Sequence, residues 1–154
     1  MSINHWIVKN LVCTLLLAVG GLNMYAQKDK YLIEAEAFQF KGKWSTDRSA
    51  DCMGSAMLRL NGGGSLDEQF DALTVVNIME EGDYNVWVRS ADYDKLPGTR
   101  LFRLSVDEKP MKESGKHGKV GFYWENAGCV QLAKKQVLLR LHDTKRNFGR
   151  CDAI

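Results

Sequence analysis

The sequence predicts an all-β fold, an antiparallel β-sandwich of the jelly-roll kind, and three observations support this prediction. From residue 31 onwards, apolar and polar residues alternate with a period of two in short runs, as expected of half-buried strands. Residues that favour turns separate these runs. No stretch beyond residue 30 keeps a helical period over a convincing length, which argues against a helical or mixed fold.

Eight short strands are predicted along the chain, at residues 31–38, 56–60, 73–79, 84–90, 101–106, 130–132, 137–141 and 151–154. The run at residues 84–90 is rich in β-branched and aromatic side chains, which favours a position near the middle of a sheet. Trp87 lies within this run, and we expect it in the core. Strands of this number and length in one small domain are typical of a sandwich or jelly roll.

The first 26 residues have the layout of a secretory signal peptide. Lys9 precedes an uncharged, largely apolar stretch at residues 11–22, and Ala26 is the expected cleavage position. The apolar stretch is shorter than the roughly 20 residues that a membrane-spanning helix needs. We therefore expect residues 1–26 to be removed on export, which leaves a secreted or periplasmic protein without a membrane anchor.

Residues 27–154 are expected to form one domain, since 128 residues (154 minus 26) suffice for a single hydrophobic core. The full chain has a net charge of +2, and the loss of Lys9 lowers it to +1. Without a basic excess, nucleic acid is not an expected partner. Three cysteines remain after cleavage, and one pair of them could form a disulfide in an oxidising compartment; they are Cys52, Cys129 and Cys151.

No catalytic signature is found in the sequence. It lacks the Gly-x-Ser-x-Gly elbow of hydrolases, the His-Glu-x-x-His motif of metalloproteases and the glycine loops that bind phosphate. The glycine run at residues 61–65 is followed by neither a lysine nor a helix, so we interpret it as a turn. The sequence therefore predicts a protein that is not an enzyme.

Glu34 and Glu36 form the most informative pair of charged residues. Two residues apart on a strand, they are expected to point the same way and to place two carboxylates side by side. One interpretation is a solvated strand face. The other is a site for a hard cation such as calcium, which prefers oxygen ligands. The residues alone favour the first.

Three motifs resemble carbohydrate-binding modules of families six and thirty-five, which are jelly rolls of the galactose-binding-like class. They are Ile-Glu-Ala-Glu at residues 33–36, Gly-x-Tyr-x-Val-Trp-Val-Arg at residues 82–89 and Cys-Asp-Ala-Ile at residues 151–154. Residues 53–55, 141–143 and 148–154 are also similar to the module that precedes secreted FAD-dependent oxidoreductases and some polysaccharide-degrading enzymes. The resemblance covers the chain after residue 26. A module truncated in its last strand is an alternative that we leave open.

The resemblance implies two binding sites. In these families, two glutamates of the first strand and an aspartate of the last strand hold a structural calcium ion, and here these residues are Glu34, Glu36 and Asp152. The resemblance thus favours the cation over the solvated face. Sugar is bound among loops at one end of the sandwich, where aromatic rings suit the apolar face of a sugar. The best matches are Trp124 and Asn147, followed by Tyr123, Trp44 and Tyr93.

Two functions are expected from this resemblance. The first is a non-catalytic module that binds a polysaccharide or glycan and so concentrates a catalytic domain at its substrate. That catalytic domain would lie beyond Ile154 or in another chain. The second is a structural accessory domain that keeps the sandwich and its calcium but binds no sugar. Fold alone does not choose between these functions.

Overall fold

The structure, a computed structural model, describes residues 30–61, 67–144 and 148–154. The predicted signal peptide lies outside these residues. Nine strands are described: β1 Trp44–Arg48, β2 Ala56–Leu60, β3 Ala72–Asn77, β4 Gly82–Ala91, β5 Phe102–Val106, β6 Lys109–Ser114, β7 Phe122–Leu132, β8 Gln136–Asp143 and β9 Arg150–Ala153. Three 3-10 turns lie at Ala35–Ala37, Met53–Ser55 and Glu68–Phe70. Among the described residues, no helix has the length and apolar character needed to cross a membrane.

The strands form two antiparallel sheets, which confirms the predicted β-sandwich. One sheet has five strands in the order β1-β2-β9-β4-β7, and the other has four in the order β3-β8-β5-β6. Alternate residues of each strand face the core between the sheets, as Phe102, Leu104 and Val106 do on β5. The apolar alternation seen in the sequence therefore corresponds to a real inner face.

Eight strand termini lie together at one end of the sandwich, which we call the loop end. They are the last residues of β2, β4, β6 and β8 and the first residues of β3, β5, β7 and β9. The register requires this arrangement, because Phe102 at the start of β5 pairs with both Ser114 at the end of β6 and Asp143 at the end of β8. The loop end is therefore the face at which these loop residues can act together.

The first predicted strand, residues 31–38, is wrong for most of its length. Only a single bridge forms there, between Glu34 and Ala153, and the chain then enters the 3-10 turn Ala35–Ala37. Residues three apart in a 3-10 turn lie on the same side, which allows both Ala35 and Phe38 to reach the core. A strand would have placed these two residues on opposite faces.

The burial of two tryptophans is the reverse of what the sequence predicted. Trp44, proposed as a sugar-binding residue, is only 3% exposed and packs edge-on against Phe102 with ring centroids 5.6 Å apart. Its ring is therefore part of the core and cannot stack on a sugar. Trp87, expected in the core, is 46% exposed. It lies between the inward-facing Val86 and Val88 and so points to the outer face of its sheet.

Other differences from the prediction arise at sheet edges and at a bulge. β1 and β6 were not predicted, since both are edge strands with polar sequences, and β6 contains Pro110. β7 is much longer than residues 130–132. Its register against β4 shifts at Ala127, because Val86 pairs with Gly128 and Trp87 pairs with Asn126. This bulge breaks the period of two on which the sequence prediction depends.

Each of the three cysteines after residue 26 carries a free thiol. Burial raises the pKa of Cys52 to about 11 and raises that of the fully buried Cys151 well above its ordinary value. Thiols with raised pKa values stay protonated near neutral pH and react slowly.

We predict that Trp44→Ala destabilises the domain by about 3 to 5 kcal/mol, because it removes a large side chain from the core. Trp87→Ala is the matched control and should cost about 1 kcal/mol or less, since half of that ring is already in water. Chemical denaturation of the two variants measures both values. Equal losses for the two tryptophans would contradict the burial assigned to them.

Candidate functional site

Glu34 and Glu36 bring their carboxylates together above Gly54. If Gly54 had a Cβ atom, it would lie 2.7 Å from Oε1 of Glu36 and 2.9 Å from Oε1 of Glu34. Gly54 also has a φ of 60°, a left-handed conformation that glycine adopts at little cost. The two carboxylates therefore converge on the one residue of the turn Met53–Ser55 that leaves room for them.

Asp152 lies on β9, is fully buried and is already bound by protein groups. Arg89 on β4 forms an ion pair with its carboxylate, and the backbone N–H of Met53 donates to Oδ1 at 3.1 Å. Arg89 also donates to the carbonyl oxygen of Asp51 at 3.0 Å. The third predicted metal ligand is thus neutralised by a guanidinium group.

The Glu36 carboxylate is in an unfavourable environment as a charged group. Burial raises its pKa above the ordinary value, and the negative charges of Glu34 and Asp152 raise it further. Its Oε2 atom is buried and has no hydrogen-bond partner. A buried charged oxygen without a partner is costly, so this site would be stabilised by a proton or by a cation.

The carboxylate cluster consists of Glu34, Glu36 and Asp152, and its chemistry suits a hard cation. All its donor atoms are carboxylate oxygens, the ligands that calcium prefers. In the parts of the chain that the structure describes, no three acidic, histidine or cysteine side chains are arranged closely enough to form a ready metal site. Glu34 and Glu36 converge on Gly54, whereas the Asp152 carboxylate is bound to Arg89.

Two of the predicted sugar-binding residues, Tyr93 and Tyr123, lie at the loop end on a rigid framework. The buried Asp92 accepts hydrogen bonds from the N–H groups of Tyr93 at 2.7 Å and Gly98 at 3.1 Å. It also accepts one from Gly118 at 2.8 Å, which ties residues 92–101 to residues 115–121. Both tyrosines remain accessible, at 39% and 41% exposure.

Cationic and polar groups surround these two rings. The ring of His117 lies 5.0 Å from that of Tyr123, and its Nε2 atom is 3.1 Å from the carbonyl oxygen of Ser90. The Nζ atom of Lys119 is 4.8 Å from the centre of the Tyr123 ring. Arg100 lies 5.5 Å from the Tyr93 ring and donates to the carbonyl oxygen of Asp92 at 2.7 Å. The loop end therefore combines exposed aromatic surface with cationic side chains that carry hydrogen-bond donors.

Trp124, the best match in the sequence, lies on a different surface. Tyr123 and Trp124 are consecutive on β7 and so point to opposite faces of the sheet. Trp124 pairs with Arg89 and is 43% exposed on the outer face, as is its diagonal neighbour Trp87. Asn147 lies outside the described residues. The structure thus brings Tyr93 and Tyr123 to one end and separates Trp124 from them.

Three residues that shape these sites were not predicted from the sequence to be site residues. Arg89 was noted only as the end of a motif, and nothing in the sequence indicates that it meets Asp152, 63 residues later. Gly54 carries a weak signal as part of Met-Gly-Ser. Asp92 follows a strand directly, where aspartate commonly begins a turn. Its position therefore predicts a turn but not its hydrogen bonds to a second loop.

No protein-family model matches the sequence, and no curated protein is similar to it. Solved structures are similar. The family 35 carbohydrate-binding module from Clostridium thermocellum superposes with a TM-score of 0.63 at 18% identity, over 81% of this chain and 96% of that one. The GH26-CBM35 β-(1,4)-mannanase of Podospora anserina has a TM-score of 0.64 at 15% identity. That match covers 80% of this chain but only 26% of the mannanase.

The cycloisomaltooligosaccharide glucanotransferase of Paenibacillus sp., in complex with cycloisomaltoheptaose, is also similar, with a TM-score of 0.60 and 18% identity over 84% of this chain. The chain spans 18% of that enzyme. Its length thus corresponds to one module of these larger proteins and to nearly the whole of the isolated one. At this level of identity the likeness establishes the fold, and the chain has the jelly-roll fold of the family 35 carbohydrate-binding modules.

Proposed function

We propose that this chain is a non-catalytic carbohydrate-binding module of an exported protein and that it binds a polysaccharide or glycan at the loop end. The observation that carries the proposal is the placement of Tyr93 and Tyr123. Both rings are exposed, and one buried carboxylate, Asp92, holds the loop that contains Tyr93 to Gly118 in the loop that leads into β7 and Tyr123. A site that is rigid before binding loses little conformational entropy when a ligand arrives.

The chemistry of the loop end suits a sugar. An aromatic ring offers an apolar surface to the C–H face of a pyranose, while the hydroxyl groups need directed hydrogen bonds. Lys119 and Arg100 lie beside the two rings and can donate such bonds. The module fold supports this assignment, since two of the similar structures are enzymes that carry this fold as one part of a longer chain.

The proposed role is to hold a catalytic domain at its substrate. Such a domain would lie beyond Ile154 or in another chain, and binding would raise its local concentration on the glycan. The protein would be secreted or periplasmic after removal of residues 1–26. The alternative is a structural accessory domain of a secreted oxidoreductase, lyase or hydrolase that binds no sugar. A folded chain that binds no glycan would favour this alternative.

We also propose that the carboxylate cluster holds a structural calcium ion. Glu34 and Glu36 would supply oxygen ligands at Gly54, and Asp152 would supply a third after releasing part of its contact with Arg89. Two features support this: the buried Oε2 atom of Glu36 has no partner, and its pKa is raised. Calcium would neutralise the carboxylates and tie the start of the domain to β9.

We predict that Tyr123→Ala abolishes glycan binding while the melting temperature stays nearly unchanged. Trp124→Ala is the matched control, because it removes an aromatic ring of similar exposure from the next residue on the opposite face. A glycan array followed by calorimetry with the best ligand measures both variants. If Trp124→Ala alone loses binding, the sugar site lies on the outer sheet face, as the sequence match suggested.

We predict that a chelator lowers the melting temperature of the wild type by several degrees. Calcium at 100 times its dissociation constant would stabilise the fold by about 2.7 kcal/mol. Asp152→Ala should lower the melting temperature by more than chelation does, because it also leaves Arg89 without its buried partner, and chelation should then add little. A metal-free wild type whose melting is indifferent to calcium would show that Glu34, Glu36 and Asp152 do not hold a calcium ion.

Glu36→Gln distinguishes the cost of the buried Glu36 charge from the proposed role of this carboxylate as a calcium ligand. In chelator at neutral pH, this variant should melt higher than the wild type, because the folded state no longer holds an unfavourable charge. The difference should shrink as pH falls through the raised pKa, since the wild-type carboxyl then binds a proton more tightly in the folded state than in the unfolded state. With calcium the order should reverse. Glu80→Gln, on the exposed connection before β4, is the control and should respond to neither.

A further inference from the structure

Two arginines lie directly opposite each other on the larger sheet, at the loop end. Arg59 of β2 pairs with Arg150 of β9 in the antiparallel register. Their neighbours Leu58 and Cys151 belong to the core, so both arginine side chains point to the outer face of the sheet. Side chains at directly opposite positions have Cβ atoms about 4.5 to 5.5 Å apart, and like charges at this spacing repel. The pair therefore destabilises the sheet unless a negative charge lies beside it.

Arg59 has partners for its two outer nitrogens. Its Nη1 atom lies 2.7 Å from Oδ2 of Asp47, and its Nη2 atom donates to Oδ1 of Asn61 at 2.9 Å. Its Nε atom is buried and has no acceptor in the described residues. Asp47 is also the one carboxylate of the described chain whose charge acts on Arg150. A single carboxylate thus faces two guanidinium groups.

The half-buried guanidinium of Arg150 has no ion pair or hydrogen bond of its own in the parts of the chain that the structure describes. Its Nε atom is buried without an acceptor, while its outer nitrogens remain accessible. Burial lowers the pKa of this guanidinium, and the positive charges of Arg100 and Arg59 lower it further. Residues 62–66 and 145–147, outside the described parts, contain no acidic residue. Because a buried donor without an acceptor is costly, an anion beside Arg150 would stabilise the fold.

A third arginine connects this pair with the proposed sugar site. Arg100 lies 5.5 Å from the centre of the Tyr93 ring, and its positive charge acts on Arg150. The negative charges of Asp92 and Asp94 offset the charge of Arg100 but do not act on Arg150. A sugar stacked on Tyr93 can therefore direct a charged substituent past Arg100 towards the one guanidinium that lacks a partner.

We propose that Arg150 and Arg59, with Arg100 beside them, form a binding site for a sulfate ester group of the glycan. The inference rests on the proposed sugar site and names the class of glycan that this site would take, a sulfated polysaccharide. The sulfate oxygens would accept hydrogen bonds from the outer nitrogens of Arg150 and would offset the repulsion between the paired arginines.

The chemistry of the site favours a sulfate ester over other anions. A sulfate ester carries a single negative charge, which matches the one guanidinium without a partner, whereas a phosphate monoester carries about −1.5 to −2. Its three terminal oxygens can accept from two guanidinium groups at once, while a carboxylate offers two oxygens in one plane. A guanidinium is weakly hydrated, so it loses little on pairing with an equally weakly hydrated sulfate in a half-buried position.

The first test uses sodium methyl sulfate, a minimal sulfate ester, with the full chain, so its result does not depend on sugar binding. We expect the Nε–H NMR resonances of Arg59 and Arg150 to shift saturably. Arg103 on the other sheet, which already pairs with Glu113, is the matched control and should not respond. Sodium acetate should bind about tenfold more weakly or less. No saturable shift, or equal affinity for acetate, would overturn the proposal.

The second test compares three polymers with the same backbone, namely dextran sulfate, carboxymethyl dextran of equal charge density and unmodified dextran. Dextran sulfate should bind most tightly in calorimetry. Arg150→Gln should lower its affinity about tenfold or more, whereas Arg103→Gln, which removes the same charge, should change it about twofold or less. Arg150→Gln should melt no lower than the wild type, because it removes a like-charge pair, so a loss of binding would not reflect unfolding.

The sugar site and the sulfate site fail in distinguishable ways. Full glycan binding by Tyr123→Ala would contradict the sugar site, whereas the methyl sulfate response of this variant should equal that of the wild type. Equal binding of dextran sulfate by Arg150→Gln and the wild type, or no preference for dextran sulfate over carboxymethyl dextran, would overturn the sulfate site and leave the sugar site standing.

Discussion

The backbone pairing of β9 is the constraint on which both ends of the domain depend. This strand lies between β2 and β4, pairing Cys151 with Leu58 on one side and with Ser90 on the other. Through Ala153 it also pairs with Glu34, which lies near the start of the described chain. Four residues thus join the first and last segments of the domain to the middle of the larger sheet.

The same strand sets the electrostatics of the carboxylate cluster. Because Cys151 and Ala153 are paired within the sheet, Asp152 is held in a fixed and fully buried position beside Arg89 and the N–H of Met53. Glu34 and Glu36 approach from the first 3-10 turn and converge on Gly54. Arg89 pairs with Asp152, and the positive charge of Lys41 also acts on Glu36, but two positive charges do not balance the cluster's three carboxylates. The remaining negative charge would favour the binding of a cation at the cluster.

The alternation of β7 divides the aromatic residues between two surfaces. Tyr123 joins His117 and Lys119 at the loop end, whereas Trp124 joins Trp87 on the outer face of the sheet. The two surfaces differ in chemistry, since cationic side chains lie beside the tyrosines at the loop end, whereas two exposed tryptophans lie on the outer face.

The sandwich could be predicted from the sequence, because burial of one strand face produces a period of two in β4, β5 and β8 that is visible without coordinates. It also singled out Glu34, Glu36 and Asp152 through motifs at the two ends of the chain. The burial of Trp44 and the exposure of Trp87 could not be predicted in this way, since alternation defines two strand faces but does not say which one packs on the core. The ion pair of Arg89 with Asp152 and the hydrogen bonds of Asp92 likewise depend on contacts between residues far apart in sequence. A local sequence pattern carries no information about the distance between such residues, because the packing of the folded chain determines it.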